Sequence, residues 1–159
     1  MCISRGFKLV KLYAATLLRP KVQKIVISNN AQALGEVNAW LEEVAIDFDI
    51  ATHLAFKIDL VINEVLPNII SYGYGYGQHD QIEISLEQCA EQFILEISDH
   101  ATPFNPFTYP EYEQAASLEE ASIGGRGIHL MKSFSDAHEY RYANNMNITR
   151  LYFLNNLDD

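Results

Sequence analysis

The stretch Glu64-Val-Leu-Pro-Asn68 decides the fold when it is taken together with Asp99-His-Ala-Thr-Pro-Phe-Asn-Pro106 and Gly124-Gly-Arg-Gly127. The first stretch places a carboxylate and an amide in an otherwise apolar segment. The second begins with a carboxylate and contains two prolines, and the third is rich in glycine. Each belongs to a different predicted element, so their order along the chain indicates which elements meet around one site.

The segment around Glu64 is predicted to be a buried helix from about Thr52 to Tyr72, because it is apolar nearly all round. Glu64 and Asn68 are four residues apart and share one face of that helix. A buried carboxylate is costly unless it is paired or solvated, so the pair indicates either an exposed polar stripe or a site. As a site, Glu64 activates a hydroxyl group or water and the Asn68 carboxamide oxygen binds Mg²⁺. Pro67 predicts a local distortion beside Asn68.

A second carboxylate, Asp99, lies at the end of the predicted strand 93–98 and shares the parity of its apolar face. It either caps the following loop or accepts a hydrogen bond from an exocyclic amine such as that of adenine. The prolines around Phe104 fix the exit of the chain and place this ring against the pocket wall. These features predict one wall of a nucleotide pocket.

The glycines at 124, 125 and 127 precede a helical pattern at about Gly127–Ser135. Backbone N–H groups at the positive end of a helix form an anion site, and Arg126 adds a positive charge there. A simple loop is the alternative. Together with Glu64, Asn68 and Asp99, this turn points to ATP.

The remaining pattern predicts an α+β fold, a two-layer sandwich with a mixed, mostly antiparallel sheet and helices on one face. Its predicted parts are a strand at 22–28, a helix from Asn29 or Asn30 to about Ile46, a hairpin with its turn near Cys89–Glu91, a long loop at 100–121, and a final hairpin joining 139–142 to 148–154. Long loops in compact domains are often lids.

Charge is distributed unevenly along the 159 residues. Six of the eleven Lys and Arg residues precede Glu36, the first acidic residue, and the rest of the chain holds all 21 Asp and Glu residues. Nucleic-acid affinity comes largely from neutralised phosphates, so this surface argues against direct nucleic-acid binding and favours a basic protein partner. The length predicts one domain, at residues 22–157, after a basic N-terminal extension at residues 1–21.

The cysteines and the apolar runs exclude two further classes. Two cysteines do not make a disulfide framework. The apolar run at 12–18 is short and flanked by basic residues, unlike an export signal, and no run reaches the roughly 20 residues of a membrane span. The sequence therefore predicts a cytoplasmic protein without a membrane span.

The order of these motifs resembles that of the GHKL (histidine kinase-like) ATPases, which have the Bergerat fold. The N box of that family is similar to Glu64-x-x-x-Asn68. Its first glycine box is similar to Asp99-x-Ala101 with the stretch 103–106, and its second glycine box is similar to Gly125-Arg-Gly127. Within the family, the amino-acid sequence around these boxes is most similar to that of the stand-alone anti-sigma factor serine/threonine kinases (RsbW-like). The resemblance covers about residues 22–155.

The resemblance implies a kinase that depends on ATP and Mg²⁺. By it, Glu64 is the catalytic base, Asn68 the Mg²⁺ ligand and Asp99 the adenine contact. The other implied nucleotide-binding residues, beneath a lid at about 107–123, are Ala101, Phe104, Gly124, Gly125, Arg126 and Gly127. Such kinases phosphorylate a serine on a small anti-sigma factor antagonist, sequester a sigma factor and usually form homodimers.

Two positions depart from the family pattern. Ala101 stands where the family has glycine and adds a methyl group where the backbone passes close to adenine. Pro67 distorts the helix that holds Asn68. These departures leave a second hypothesis open, a protein of this fold that regulates a partner by binding, with weak or no ATP turnover.

Overall fold

One antiparallel sheet of five strands runs through the part of the chain that the computed structural model describes, residues 20–108 and 125–155. The strands are β1 (Lys21–Ser28), β2 (Gln81–Gln88), β3 (Gln92–Asp99), β4 (Ala137–Ala143) and β5 (Met146–Leu154). Their order in the sheet is β1-β2-β3-β5-β4, and the four pairings are all antiparallel. This order places β3 and β5, which are distant in sequence, side by side at the centre.

Three α-helices lie in the described residues: α1 (Ala33–Asp47), α2 (Thr52–Asn68) and α3 (Gly125–Phe134). Just ahead of α1, the side-chain oxygen of Asn30 accepts the N–H groups of Gln32 and Ala33, at 2.9 and 3.2 Å. The predicted cap at Asn29 or Asn30 is therefore wrong in position, because Gln32 is the N-cap residue of α1 and Asn30 forms the turn that leads into it. The predicted helix α2 packs against both α1 and α3.

The core lies between the helices and one face of the sheet. Alternate side chains of β2 and β3 are fully buried there with those of α2, a set that includes Ile82, Ile84, Leu86, Leu95, Ile97, Ile58, Ile62 and Leu66. The opposite face of the sheet holds ion pairs of Lys24 with Glu83 and of Arg150 with Glu96. The predicted two-layer α+β sandwich with helices on one face is therefore confirmed.

The end of α2 continues into a turn of π-helix, Ile69–Gly73, that begins two residues after Pro67. Proline has no N–H group, so the carbonyl four residues earlier loses its usual helical partner. Single π-helical turns inside helices are frequent at functional sites. The distortion predicted beside Asn68 is thus confirmed, and Tyr72 and Gly73 lie in the widened turn.

The connections agree with the predicted turns where the structure describes them. Residues 89–91 join β2 to β3, and Asn144 and Asn145, with φ of 53° and 66°, join β4 to β5. Asparagine tolerates this left-handed conformation, which two-residue hairpin turns require. The loop after β3 contains a short 3₁₀ turn, Pro106–Thr108, and most of the predicted lid lies outside the described residues. Within residues 20–108 and 125–155, no helix has the length and apolar character to cross a membrane.

Candidate functional site

A cavity of about 280 Å³ opens between the end of α2, the loop after β3, α3 and the start of β5. Apolar side chains form most of its walls, and a few polar side chains converge on it, as in small-molecule sites. The lining residues used below are Asn68, Tyr72, Gly73, Asp99, Ala101, Phe104, Met131, Asn147 and Thr149. The predicted residues Asn68, Asp99, Ala101 and Phe104 therefore meet at one cavity.

Asp99 is the buried charge of this cavity, with 4% of its surface exposed. Its Oδ1 accepts hydrogen bonds from the Ala101 N–H at 2.9 Å and from the Asn147 side-chain amide at 2.8 Å. Burial raises the pKa of the Asp99 carboxyl above its ordinary value, although both hydrogen bonds oppose that rise. No hydrogen bond from the described residues is made to Oδ2, so this oxygen remains an acceptor for a ligand.

Glu64 and Asn68 lie where α2 meets the start of α3. A Cβ atom added to Gly127 would lie 2.8 Å from the Asn68 side-chain nitrogen and 3.5 Å from both the Cβ atom and the carbonyl oxygen of Glu64. The two helices approach this closely because position 127 has no side chain. Among the described residues, none forms a hydrogen bond or ion pair with the half-buried carboxylate of Glu64.

Gly127→Ala tests this contact. The substitution removes a glycine from a helix, which by itself stabilises by about 1 kcal/mol, but the new methyl group displaces the Asn68 side chain. We expect the thermal stability of the variant to be nearly unchanged. Its affinity for ATP with Mg²⁺, measured by calorimetry, should fall about tenfold. Gly35→Ala is the matched control, since it lies in α1 with open space around it; equal affinities for the two variants would contradict the role of the contact.

Gly73 and Ala101 form the other close approach at the cavity. The Thr102 N–H donates to the Gly73 carbonyl at 2.9 Å, and a Cβ atom on Gly73 would lie 2.8 Å from the Cβ atom of Ala101. Gly73 therefore provides the space that the methyl group of Ala101 occupies. This explains how the chain accommodates alanine at the position where the family has glycine.

Gly73→Ala is expected to destabilise the fold by about 1–3 kcal/mol, the usual cost of overpacking. Ala101→Gly in the same chain removes the opposing methyl group and should recover most of that loss. Chemical denaturation of both single variants and the double variant measures the coupling. Strictly additive effects would show that the two methyl groups do not compete for this space.

The glycine turn is only partly described. Gly125, Arg126 and Gly127 form the first turn of α3, which begins two residues earlier than predicted, and Gly124 lies outside the described residues. The start of α3 thus lies beside Glu64 and Asn68, and a helix N-terminus is in general a favourable place for an anion. Phe104 lines the cavity with half of its surface exposed.

Two polar residues of β5, Asn147 and Thr149, line the cavity but were not predicted as site residues. Both are buried and have the parity of the core residues Leu151 and Phe153. Polar residues on the apolar side of a strand require buried partners, but only Thr149 lay within the predicted strand 148–154, whereas Asn147 was assigned to the turn before it. Asn147 has such partners, and they connect it to Asp99.

The chain belongs to the histidine kinase-like ATPase family, because residues 27–153 match the family described as "Histidine kinase-like ATPase domain". The match includes all three stretches that predicted the site and confirms the resemblance drawn from them. An ATPase domain implies ATP binding.

Two known proteins illustrate the relationship. The chain is similar to the serine/threonine-protein kinase BtrW of Bordetella bronchiseptica, with 28% identity over 127 residues that cover 80% of this chain and 89% of that protein. Its fold is similar to that of a chain in the SiaB-SiaC complex from Pseudomonas aeruginosa, with a TM-score of 0.50 and 12% identity over 97% of this chain and 99% of that one. The second likeness concerns the fold alone.

Proposed function

We propose that this protein is an ATP-dependent serine/threonine kinase of the anti-sigma factor type, which phosphorylates a small anti-sigma factor antagonist and binds a sigma factor. The observation that supports this most directly is the meeting of Asn68 and Asp99 at one cavity, with Glu64 beside Asn68 at the start of α3. The similarity to a serine/threonine-protein kinase supports this reaction class. The cytoplasm is the proposed location.

The adenine base is proposed to bind at the Asp99 end of the cavity. Oδ2 of Asp99 accepts the exocyclic amine, while the apolar walls, including Met131, enclose the ring. Tyr72 and Phe104 are exposed at the cavity and present aromatic surface to a purine. A neutral base with an amine donor satisfies Oδ2 of Asp99 without adding charge.

Mg²⁺ is proposed to bind through Asn68 and the phosphates. Mg²⁺ keeps several waters and takes few protein ligands, with substrate phosphates completing its shell. Within residues 20–108 and 125–155, no cluster of three or more His, Cys, Asp or Glu side chains could hold a metal ion by itself. An ion bound jointly by the protein and the phosphates needs few protein ligands, which fits the single amide oxygen of Asn68. The start of α3 adds N–H donors for the phosphates.

Glu64 is proposed to accept the proton of the attacking hydroxyl group. ATP supplies the γ-phosphoryl group when bound. The hydroxyl oxygen of the substrate serine or threonine forms the new bond to phosphorus, its proton passes to the Glu64 carboxylate, and ADP is the leaving group. Arg126, in the first turn of α3, provides positive charge for the transferred group.

The partner is proposed to be a small protein that presents a basic surface to this acidic chain. The fold neighbour comes from a complex of two proteins, SiaB and SiaC, which supports a protein partner for a domain of this shape. A homodimer is proposed as the form in solution, and light scattering of the full chain measures its mass. A monomer at all concentrations would contradict that part of the proposal.

Incubation with a cognate antagonist and labelled ATP tests the proposed activity. We expect Mg²⁺-dependent transfer of label to a serine or threonine of the antagonist, and no transfer when Mg²⁺ is chelated. Binding of ATP without transfer to any cognate antagonist would instead support the second hypothesis, a regulatory binding protein without turnover. Pro67 favours that second hypothesis, because it interrupts the helix beside Asn68.

A further inference from the structure

Asn147 connects the Asp99 carboxylate with four neighbouring groups. Its amide nitrogen donates to Oδ1 of Asp99 at 2.8 Å and also lies 3.2 and 3.4 Å from the carbonyl oxygens of Ala101 and Thr102. Its side-chain oxygen accepts from the Tyr140 hydroxyl at 2.7 Å and from the Phe104 N–H at 3.2 Å. Asn147 is 4% exposed, so these contacts have little competition from water.

The orientation of the Asn147 amide is fixed by these partners. The three acceptors lie on its nitrogen side and the two donors on its oxygen side. A flipped amide would place its oxygen against the Asp99 carboxylate and two carbonyl oxygens, leaving buried groups unsatisfied. Tyr140 makes the shortest of the five hydrogen bonds and reaches Asn147 from β4, one of the two edge strands of the described sheet.

We propose that Tyr140 and Asn147 are positioning residues that set the nucleobase selectivity of the site. They hold the Asp99 carboxylate with Oδ1 occupied, so that Oδ2 accepts an exocyclic amine. This favours a 6-aminopurine, such as adenine, over a 6-oxopurine, such as hypoxanthine, whose oxygen would face the carboxylate. The inference rests on the proposed function and deepens it. Tyr140 does not line the cavity, so it acts on the nucleotide only through Asn147 and Asp99.

The physical reason is the freedom of the carboxylate. A carboxylate held in one orientation repels the 6-oxo group, whereas one that shifts or rotates can accept the N1–H group of hypoxanthine instead. A rigid polar partner is therefore a source of discrimination even when it does not touch the ligand. Losing the hydrogen bond from Tyr140 loosens Asn147 and with it Asp99.

Tyr140→Phe tests the inference, because it removes one hydroxyl group and keeps the ring. Calorimetry of the full chain with Mg²⁺ gives the Kd values for ATP and for inosine triphosphate. We expect the ratio of the two affinities to fall about two- to tenfold, the equivalent of one neutral hydrogen bond. Tyr142→Phe is the matched control on the same strand, since the Tyr142 hydroxyl donates to Asn145 in the hairpin turn, at 2.9 Å.

An unchanged ratio in Tyr140→Phe, or an equal fall in Tyr142→Phe, would overturn the inference. Asn147→Asp is a second variant, which puts a carboxylate against Asp99 so that the pair shares a proton. Its ATP preference should fall further than in Tyr140→Phe, and retention of the wild-type preference would also overturn the inference. Wild-type protein that binds neither nucleotide would overturn the proposed function as well, whereas wild-type binding with unchanged ratios overturns the inference alone.

Discussion

Asp99→Asn is expected to lower the affinity for ATP by about 100-fold or more, the scale seen when a site built to hydrogen-bond its ligand loses the match. The asparagine oxygen can keep the hydrogen bonds from Ala101 and Asn147. Its NH₂ group then takes the place of Oδ2 and faces the adenine amine, so two donors oppose each other. Calorimetry with ATP and Mg²⁺ measures the loss.

The same variant should be at least as stable as wild type at neutral pH. Burial raises the pKa of Asp99, so the folded state binds this proton more readily than the unfolded chain. The protonation of Asp99 therefore adds to the free energy of unfolding at low pH, and this contribution is lost as pH rises through the raised pKa. Asp99→Asn removes that dependence, and unfolding curves at several pH values measure it.

Asp49→Asn is the matched control for this change. Asp49 is exposed with a φ of 51°, a conformation that asparagine also tolerates, and it does not line the cavity. It should bind ATP like wild type. An Asp99→Asn protein that folds and binds ATP with wild-type affinity would contradict the adenine contact.

Glu64→Gln is expected to reduce phosphoryl transfer by about 10²- to 10⁴-fold, the usual contribution of a general base. Glutamine keeps the shape of the side chain but cannot accept the hydroxyl proton. Because Glu64 does not line the cavity, the affinity for ATP should change little. A single-turnover assay with the antagonist, beside a binding titration, separates the two quantities.

Glu43→Gln, on the exposed surface of α1, is the control for the same chemical change and should transfer phosphate at the wild-type rate. If Glu64→Gln kept full transfer, another group would have to accept the proton. If it lost ATP binding in parallel with transfer, its role would be structural. The ratio of the two losses therefore decides between a base and a packing residue.

The fold was largely predictable because its elements have clear periods. The alternation in β2 and β3 and the apolar character of α2 predicted a buried helix on a half-buried sheet, and both are present. The end of α2 was predictable only as a distortion, since Pro67 removes a hydrogen bond without dictating which turn replaces it. The π-helical turn depends on packing that no local pattern encodes.

Site residues could be predicted where a residue type is unusual for its helix or strand. They could not be predicted where their role depends on pairing between segments distant in sequence. Asp99 and Asn68 could be identified because polar groups are costly in apolar segments. Asn147 stood beside a predicted turn, so its polarity needed no explanation until β5 was paired with β3. The fit of Ala101 against Gly73 likewise depends on a contact between segments 28 residues apart, about which a single sequence gives no signal.

The central pairing of β3 with β5 has a consequence for the synthesis of the chain. Asp99 and Asn147 are 48 positions apart, so the ribosome completes β3, α1 and α2 well before the partner of Asp99 exists. Closing such a long segment is slow compared with forming helices or hairpins. A nascent chain therefore cannot complete the hydrogen bonds around Asp99 until β5 has emerged.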